Sequence, residues 1–301
     1  MTRHPHSAEA ALAQLGRAAR HRRDWRGART GFPSGRLAAL WAFATLLLVG
    51  QAVAQDDAQT LAKKLANPIA DLVSVPIQYN YLRGFAPNDG SVSDTNIQPV
   101  IPFSISPNWN VISRTILPVV YENDVGLEPG SAFGLGNTTQ SFFLSPKQPT
   151  SFGLIWGVGP VFTLPTRSDD RLGPNQWGAG LTAVALRQQK HWTYGALWNH
   201  VWSLNNNDEY GAHSTSLFQP FVAYITDRAT TYTLETQSTY DWETNEWTVP
   251  VTATIYQLFK IGNQRLQFGG GPTYIVTAPE GGPQDWGARV QLTLLFPKPG
   301  E

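Results

Sequence analysis

The sequence predicts an all-β fold, a closed antiparallel transmembrane barrel of about twelve strands, and three observations carry that prediction. The first is the stretch Trp286–Phe296, where Trp286, Ala288, Val290, Leu292, Leu294 and Phe296 alternate with Gly287, Arg289, Gln291 and Thr293. Strand side chains switch faces at every residue, and a tilted strand crosses a bilayer in roughly 9–11 residues. The stretch therefore offers one face to lipid and one to water over a spanning length. The second observation is that connections between β-rich segments alternate between short and long. The third is that aromatic residues gather at the two ends of those segments.

The chain opens with a leader. The apolar run Leu37–Val49, with Arg36 before it and Ala52-Val53-Ala54 after it, has the three regions of a secretory signal peptide, with cleavage expected before Gln55. Residues 1–54 are thus expected to be a signal peptide with a basic N-terminal extension, whose translation start lies somewhere within 1–36. The apolar run is well short of the ~20 residues of a membrane-spanning helix. Arg22-Arg23 resembles a twin-arginine pair, but Asp24 and Trp25 follow it, and a scatter of basic residues is the simpler reading.

The formal net charge of +0 hides an asymmetry. Arg3, Arg17, Arg20, Arg22, Arg23, Arg26, Arg29 and Arg36 lie in the leader, against only Glu9 and Asp24, so the mature chain is net acidic. An acidic chain is a poor match for nucleic acid, which is bound through clustered Lys and Arg. With no cysteine, disulfides, lipoprotein anchoring and thiolate chemistry are excluded together.

Residues 55–72 precede the barrel. Leu61, Leu65, Ile69 and Leu72 fall at helical spacing, with Asn67-Pro68 interrupting. An amphipathic helix at the membrane edge, a plug entering the lumen and a frayed tail all fit this pattern. From 73 to 301 the chain reads as one barrel. Strands are expected at 73–85, 95–106, 109–121, 135–145, 152–163, 177–187, 191–203, 214–226, 230–241, 246–258, 265–275 and 286–296.

Short connections sit at Pro107-Asn108, Pro146–Pro149, Gln188–Lys190, Asp227–Ala229 and Gly262-Asn263. Long ones cover Ala86–Asp94, Glu122–Gly134, Leu164–Gln176, Leu204–His213 and Ala278–Asp285, with Trp242–Asn245 intermediate. Short turns on one side, long loops on the other and an even strand number match an outer-membrane barrel with both termini in the periplasm. One end of the strands then collects Trp109, Phe143, Phe152, Trp192, Tyr232, Phe259 and Phe296. The other collects Tyr121, Trp177, Trp202, Trp242, Trp247 and Trp286. Two aromatic belts at the interfaces are what a spanning barrel requires. The long loops carry Asp89, Asp94, Glu122, Asp124, Glu128, Asp169, Asp170, Asp208, Glu209 and Glu280, while Lys147, Lys190, Arg228 and Lys260 mark the short turns.

The interior follows from the same alternation. Thr233, Glu235, Gln237, Thr239 and Asp241 share one face, as do Arg289, Gln291 and Thr293, and Arg114 is the sole charge in an apolar strand. An arginine at mid-depth on the lipid face costs about 2–4 kcal/mol, so Arg114 and Arg289 should point inward, balanced by Glu235. Arg114, Glu235, Gln237, Arg289 and Gln291 are the candidate lumen contacts. They form either a constriction that selects solutes or a structural network that holds the barrel shut.

The chain resembles the family of outer-membrane channels linked by name to the meta-pathway of phenol degradation, whose members are often labelled transporters. The stretches that carry the resemblance are Asn67–Gln78, Arg114–Pro118, Gly134–Gly136, Ser141–Lys147, Gly157–Pro160, Thr193–His200, Gln219–Phe221 and Leu294–Lys298, together covering nearly the whole mature chain. It implies a barrel for passive passage of small, hydrophobic or aromatic, solutes. Asn137 stands where the resemblance leads one to expect Asp, and Pro297–Glu301 follow the terminal aromatic that many such barrels end on.

Enzyme readings are weaker. The mature chain has only His191, His200 and His213. His213 and Ser214 are consecutive, so in a strand they point to opposite faces and make a poor base and nucleophile. His200 lies beside Trp202, where an interfacial role is the plainer reading. Gly269-Gly-Gly-Pro272 opens no helix, and a bulge or a close strand approach explains it better than a phosphate cradle. No cofactor motif or metal-spaced His/Glu set appears. A lipid hydrolase on a barrel, an adhesive surface barrel and a secreted β-sandwich lectin remain as alternatives. The expected partners are outer-membrane lipid, small organic solutes and the barrel-assembly machinery, in a Gram-negative outer membrane, as a monomer or trimer.

Overall fold

A computed structural model of the chain describes residues 55–127, 129–204 and 212–297, with side chains from 58 onward. The expected signal peptide and the loop acids Glu128, Asp208 and Glu209 lie outside the described residues. A helix, α1 (Gln55–Leu65), precedes fifteen hydrogen-bonded strands. These are β1 (Val73–Phe85), β2 (Gly90–Ile97), β3 (Val100–Ser104), β4 (Trp109–Asn123), β5 (Ser131–Leu135), β6 (Thr138–Pro146), β7 (Leu154–Leu164) and β8 (Gly178–Gln189). They continue with β9 (Trp192–Ser203), β10 (Ser214–Ile225), β11 (Thr230–Thr236), β12 (Ser238–Asp241), β13 (Glu246–Ile261), β14 (Gln264–Thr277) and β15 (Gln284–Phe296).

The fifteen segments make twelve staves, because three staves are interrupted. The β2/β3 stave breaks at Gln98-Pro99, where proline has no N–H to give the ladder. The β5/β6 stave breaks at Gly136-Asn137. The β11/β12 stave breaks at Gln237 with no change of register: Thr236 pairs with Val251 and Thr239 with Thr248. Gln237 therefore stands opposite Pro250, which cannot donate to it. Every neighbouring pair is antiparallel, and β15 closes on β1 from Val73 opposite Phe296 to Tyr81 opposite Ala288. Closure leaves no sheet edge exposed to lipid.

We call the end holding the start of β1 and the end of β15 the lower end. Lower turns are short, with two residues joining β8 to β9 and β13 to β14. The upper connections at 165–177 and 204–213 are long, but those at 86–89 and 242–245 have four residues each. The expected loop at 86–94 shrinks to 86–89, because β2 begins at Gly90. Asp94 is thus not a loop acid. Its side chain faces the lumen, where it accepts from Asn80 and Asn96. Glu122, also expected in a loop, lies within β4 and is buried. A short strand with a polar inner face has the composition of a loop, which is why the alternation is hard to see there.

The outer face is apolar, with Leu181, Leu234, Ile255 and Val276 more than half exposed on it. Exposed apolar surface of that extent marks contact with lipid. Trp177, Trp202, Trp242, Trp247, Trp286 and Tyr121 stand exposed at the upper end, and Trp192, Phe152, Tyr232 and Phe296 at the lower. Trp109 faces outward half-buried, its ring edge-on to Trp156 at 6.0 Å. Phe143 does not belong to the lower belt. Ser141, Phe143 and Ser145 share the inner face of β6, so Phe143 is 1 % exposed, packed with Ile112 and Leu197, while Phe142 and Leu144 face out.

The segment ahead of β1 lies inside the lower lumen. Leu61 and Ala62 of α1 pack on Ala223, Ile225, Ala229, Leu258 and Leu295, inward residues near the lower rim. Past α1, Ile69 packs on Ile112, Phe143, Val184, Leu186 and Leu197. Polar groups fix its position. Gln188 Nε2 donates to the Lys63 carbonyl at 2.7 Å, and Gln59 Nε2 donates to Asp227 at 3.1 Å.

Candidate functional site

The inner wall above this segment is polar because each stave turns its hydrophilic alternate residues inward. Arg289 is the centre of the resulting network. Its guanidinium pairs with the Glu235 carboxylate across the intervening staves, and Nε donates to Asn80 Oδ1 at 2.7 Å. Asn80 passes the contact on, donating to Asp94 at 2.9 Å and accepting from Gln78 at 3.2 Å. Glu235 also accepts from Gln219 at 3.0 Å and from Gln237 at 3.4 Å. The carboxylate thus meets three donors, and the Arg289 side chain is 7 % exposed.

Beside this pair, glycines let β13 and β14 approach closely. Gly271 stands opposite Arg289 on β14, and a Cβ there would lie 2.0 Å from the Ala253 carbonyl oxygen. Gly269 is as tight, at 1.9 Å from the Ile255 oxygen. The run Gly269–Pro272 is therefore a close strand approach. Its register with β13 is the same on both sides, Thr273 opposite Thr252 and Gly270 opposite Ile255, so the run adds no bulge.

Between the wall and residues 64–72 lies a cavity of about 180 Å³. Arg114, Glu235, Gln237 and Gln291 line it; Arg289 does not, being held behind Glu235. Of the five sequence-predicted lumen residues, the structure thus gathers four around one space and assigns the fifth to the network beside it. Sequence reasoning missed Asn80, Asp94, Gln98 and Gln219. The inward parity of β1 and of β10 contains the signal for Asn80 and Gln219. Gln98 lies in a break and Asp94 in an apparent loop, so neither had a period to place it.

Arg114 is half-buried, and its Nη2 donates to Gln98 Oε1 at 3.1 Å. The other lining groups include glutamine amides, threonine hydroxyls, Phe221 and Tyr256, with Lys64, Leu65, Pro68 and Leu72 on the side of the N-terminal segment. Such a lining can hydrogen-bond a polar group and cover an apolar one.

At the upper end the connection between β7 and β8 folds back on the barrel. Arg171 Nε donates to Glu122 at 2.8 Å, and the Leu135 N–H donates to Ser168 Oγ at 2.8 Å. Asn137 explains its own departure from the expected Asp. Its Nδ2 donates to the Pro174 carbonyl at 2.7 Å while its Oδ1 accepts from the Arg167 N–H at 3.3 Å. A carboxylate has no donor for the first contact.

The outer face holds a second polar cluster. His200 and Ser216 are cross-strand partners, and His200 Nδ1 lies 2.7 Å from Ser216 Oγ, with Ser214 Oγ 3.3 Å from Nε2. Trp242 Nε1 donates to the same Ser216 oxygen at 3.0 Å, and the Trp202 ring covers the imidazole at 4.1 Å between centroids. His213, by contrast, gives its backbone N–H to Ser203. Among the described residues no group of three or more His, Asp or Glu is placed to hold a metal ion.

No family model matches the chain, and no curated protein does. Among solved structures, an outer membrane channel from Pseudomonas putida F1 superposes with a TM-score of 0.59 at 16% identity, covering 75% of this chain and 96% of that one. Outer membrane phospholipase A from Escherichia coli gives a TM-score of 0.40 at 11% identity, covering 74% and 96%. The first of these likenesses shows the fold: a closed twelve-stave barrel of the outer-membrane type.

Proposed function

We propose that the chain is an outer-membrane channel for the passive passage of small organic solutes, aromatic ones among them, through a narrow, gated lumen. The observation that carries this reading is a barrel with an apolar outer face and a hydrogen-bonding inner face around a 180 Å³ cavity. The likeness to the outer membrane channel of Pseudomonas putida F1 supports it, as does the sequence resemblance to channels linked to phenol degradation. Residues 55–72 are the gate, an amphipathic element whose apolar side is wedged against the lower wall. A leader at 1–54 exports the chain, and the assembly machinery reads the terminal aromatic segment in its internal form.

Hydrolysis of lipid is the competing reading, and His200 is the place it would occur. It is the weaker one because Ser216 Oγ is occupied by Trp242 and His200 is 7 % exposed beneath its tryptophans. A hydrolase needs its base open to the substrate. Reconstitution of the refolded chain in a planar bilayer tests both. The channel reading expects small discrete conductance steps that phenol or toluene alters. Release of fatty acid from lipid vesicles with no conductance overturns it.

A further inference from the structure

The charges around the lumen cavity are unequally satisfied. Glu235 receives Arg289, Gln219 and Gln237, so both of its oxygens are engaged. Arg289 is bound to Glu235 and Asn80, and the Asp94 charge acts on it as well. Arg114 shares the Glu235 charge with Arg289 but, among the described residues, is not hydrogen-bonded to that carboxylate. A guanidinium carries five N–H donors, and among the described residues the acceptor side chain it meets is Gln98. Arg114 and Lys64 are the cations on the cavity lining and Glu235 the anion, so the space carries a positive bias.

We infer that this cavity holds a subsite for the carboxylate of a compact, single-ring organic acid, with Arg114 as its counter-ion. The inference rests on the lumen being the passage and names a solute class for it. A planar guanidinium matches a carboxylate with two parallel hydrogen bonds, and such charge-assisted pairs are roughly twice as strong as neutral ones. Size selects the rest of the molecule. A cavity of about 150 Å³ admits benzene, so 180 Å³ holds one ring and a carboxylate and little more. Phe221, Tyr256, Leu65 and Leu72 give the ring apolar and aromatic contact, while Gln98 orients the guanidinium. A solute cation finds no equivalent, since the one lining carboxylate already has three donors.

Calorimetric titration of the folded mature chain in detergent micelles tests this, with benzoate, its neutral isostere benzamide, and acetate as probes. Benzoate is expected to bind saturably, with benzamide and acetate roughly tenfold weaker or more. Arg114→Gln removes the preference for benzoate over benzamide, and Arg114→Lys keeps part of it. Heat-modifiable migration on a gel shows that each variant is folded. Equal binding of benzoate and benzamide to the unsubstituted chain overturns the inference without any variant, as does a retained preference in Arg114→Gln. Conductance in benzoate-free potassium chloride separates the two readings. Conductance without benzoate preference sinks the subsite alone, and benzoate binding without conductance, even after removal of 55–72, sinks the passage alone.

Discussion

The lower and middle parts of the lumen are built from opposite chemistry. Below, α1 and Ile69 occupy the bore through apolar contact with Ile225, Leu258, Leu295, Phe143 and Leu197. In the middle, Arg289, Glu235, Asn80 and Asp94 line the wall with charged hydrogen bonds reaching from β1 and β2 to β11. Apolar packing can be withdrawn as a unit, leaving methyl groups facing water. The ionic network cannot, since each member removed leaves a charge without its partner. Under the proposed passage, the lower segment is the part that would move and the middle network the part that would keep its shape.

The largest expected effect comes from removing the lower filling. A chain that starts at Leu72 loses α1 and Ile69 but no member of the network, so it should still fold and close through β1 and β15. Single-channel conductance should rise several-fold over the parent chain. Unchanged conductance would mean that the network, not the N-terminal segment, sets the bottleneck, and the contrast between the two regions would fail. Ala62→Glu offers a finer version. Ala62 is 0 % exposed, so a carboxylate there should expel α1 and reproduce part of the increase.

The middle region should respond in stability and selectivity rather than in size. Arg289→Ala leaves Glu235 with amide partners only, and losing one member of a buried pair costs about 3–5 kcal/mol in a dry interior. The wet lumen lowers that, to about 1–3 kcal/mol. The temperature at which the barrel loses its heat-modifiable form should fall, and ion selectivity should shift toward cations. Arg289→Ala combined with Glu235→Gln should restore much of the stability, because no lone charge is left. Unaltered selectivity in Arg289→Ala would place the whole network outside the ion path.

Much of this architecture was legible because a barrel stave repeats every two residues and ends at a turn. Bounds such as 73–85 for β1 and 230–241 for the β11/β12 stave match the structure. The same period put Arg114, Glu235, Gln237, Arg289 and Gln291 on the inner face. Who bonds whom was not legible, since Arg289 and Asn80 are 209 residues apart and meet only through the closing register of β1 with β15. Phe143 misled because two adjacent aromatics in one strand cannot both face lipid, and composition does not say which one turns in. Asp94 misled because a strand rich in Ser, Thr, Asn and Asp looks like a loop until its neighbours are known.

The smallest effect lies at the upper rim, and it separates a loop that is tied from one that merely rests on the barrel. Asn137 joins the β5/β6 break to the long connection with one donated and one accepted hydrogen bond. Asn137→Asp keeps the acceptor for the Arg167 N–H but replaces the donor with an oxygen facing the Pro174 carbonyl. A lost hydrogen bond of this kind costs about 1 kcal/mol, and two facing acceptors add to that. The barrel itself should be unaffected, because the Arg171 contact to Glu122 and the Ser168 contact to β5 remain. Hydrogen exchange at residues 166–176 should accelerate roughly fivefold to tenfold while exchange in β7 and β8 stays as it was. Equal exchange in the two proteins would show that Arg171, Ser168 and Thr166 hold the connection down without it, and the asparagine would then have no part in shaping the upper mouth.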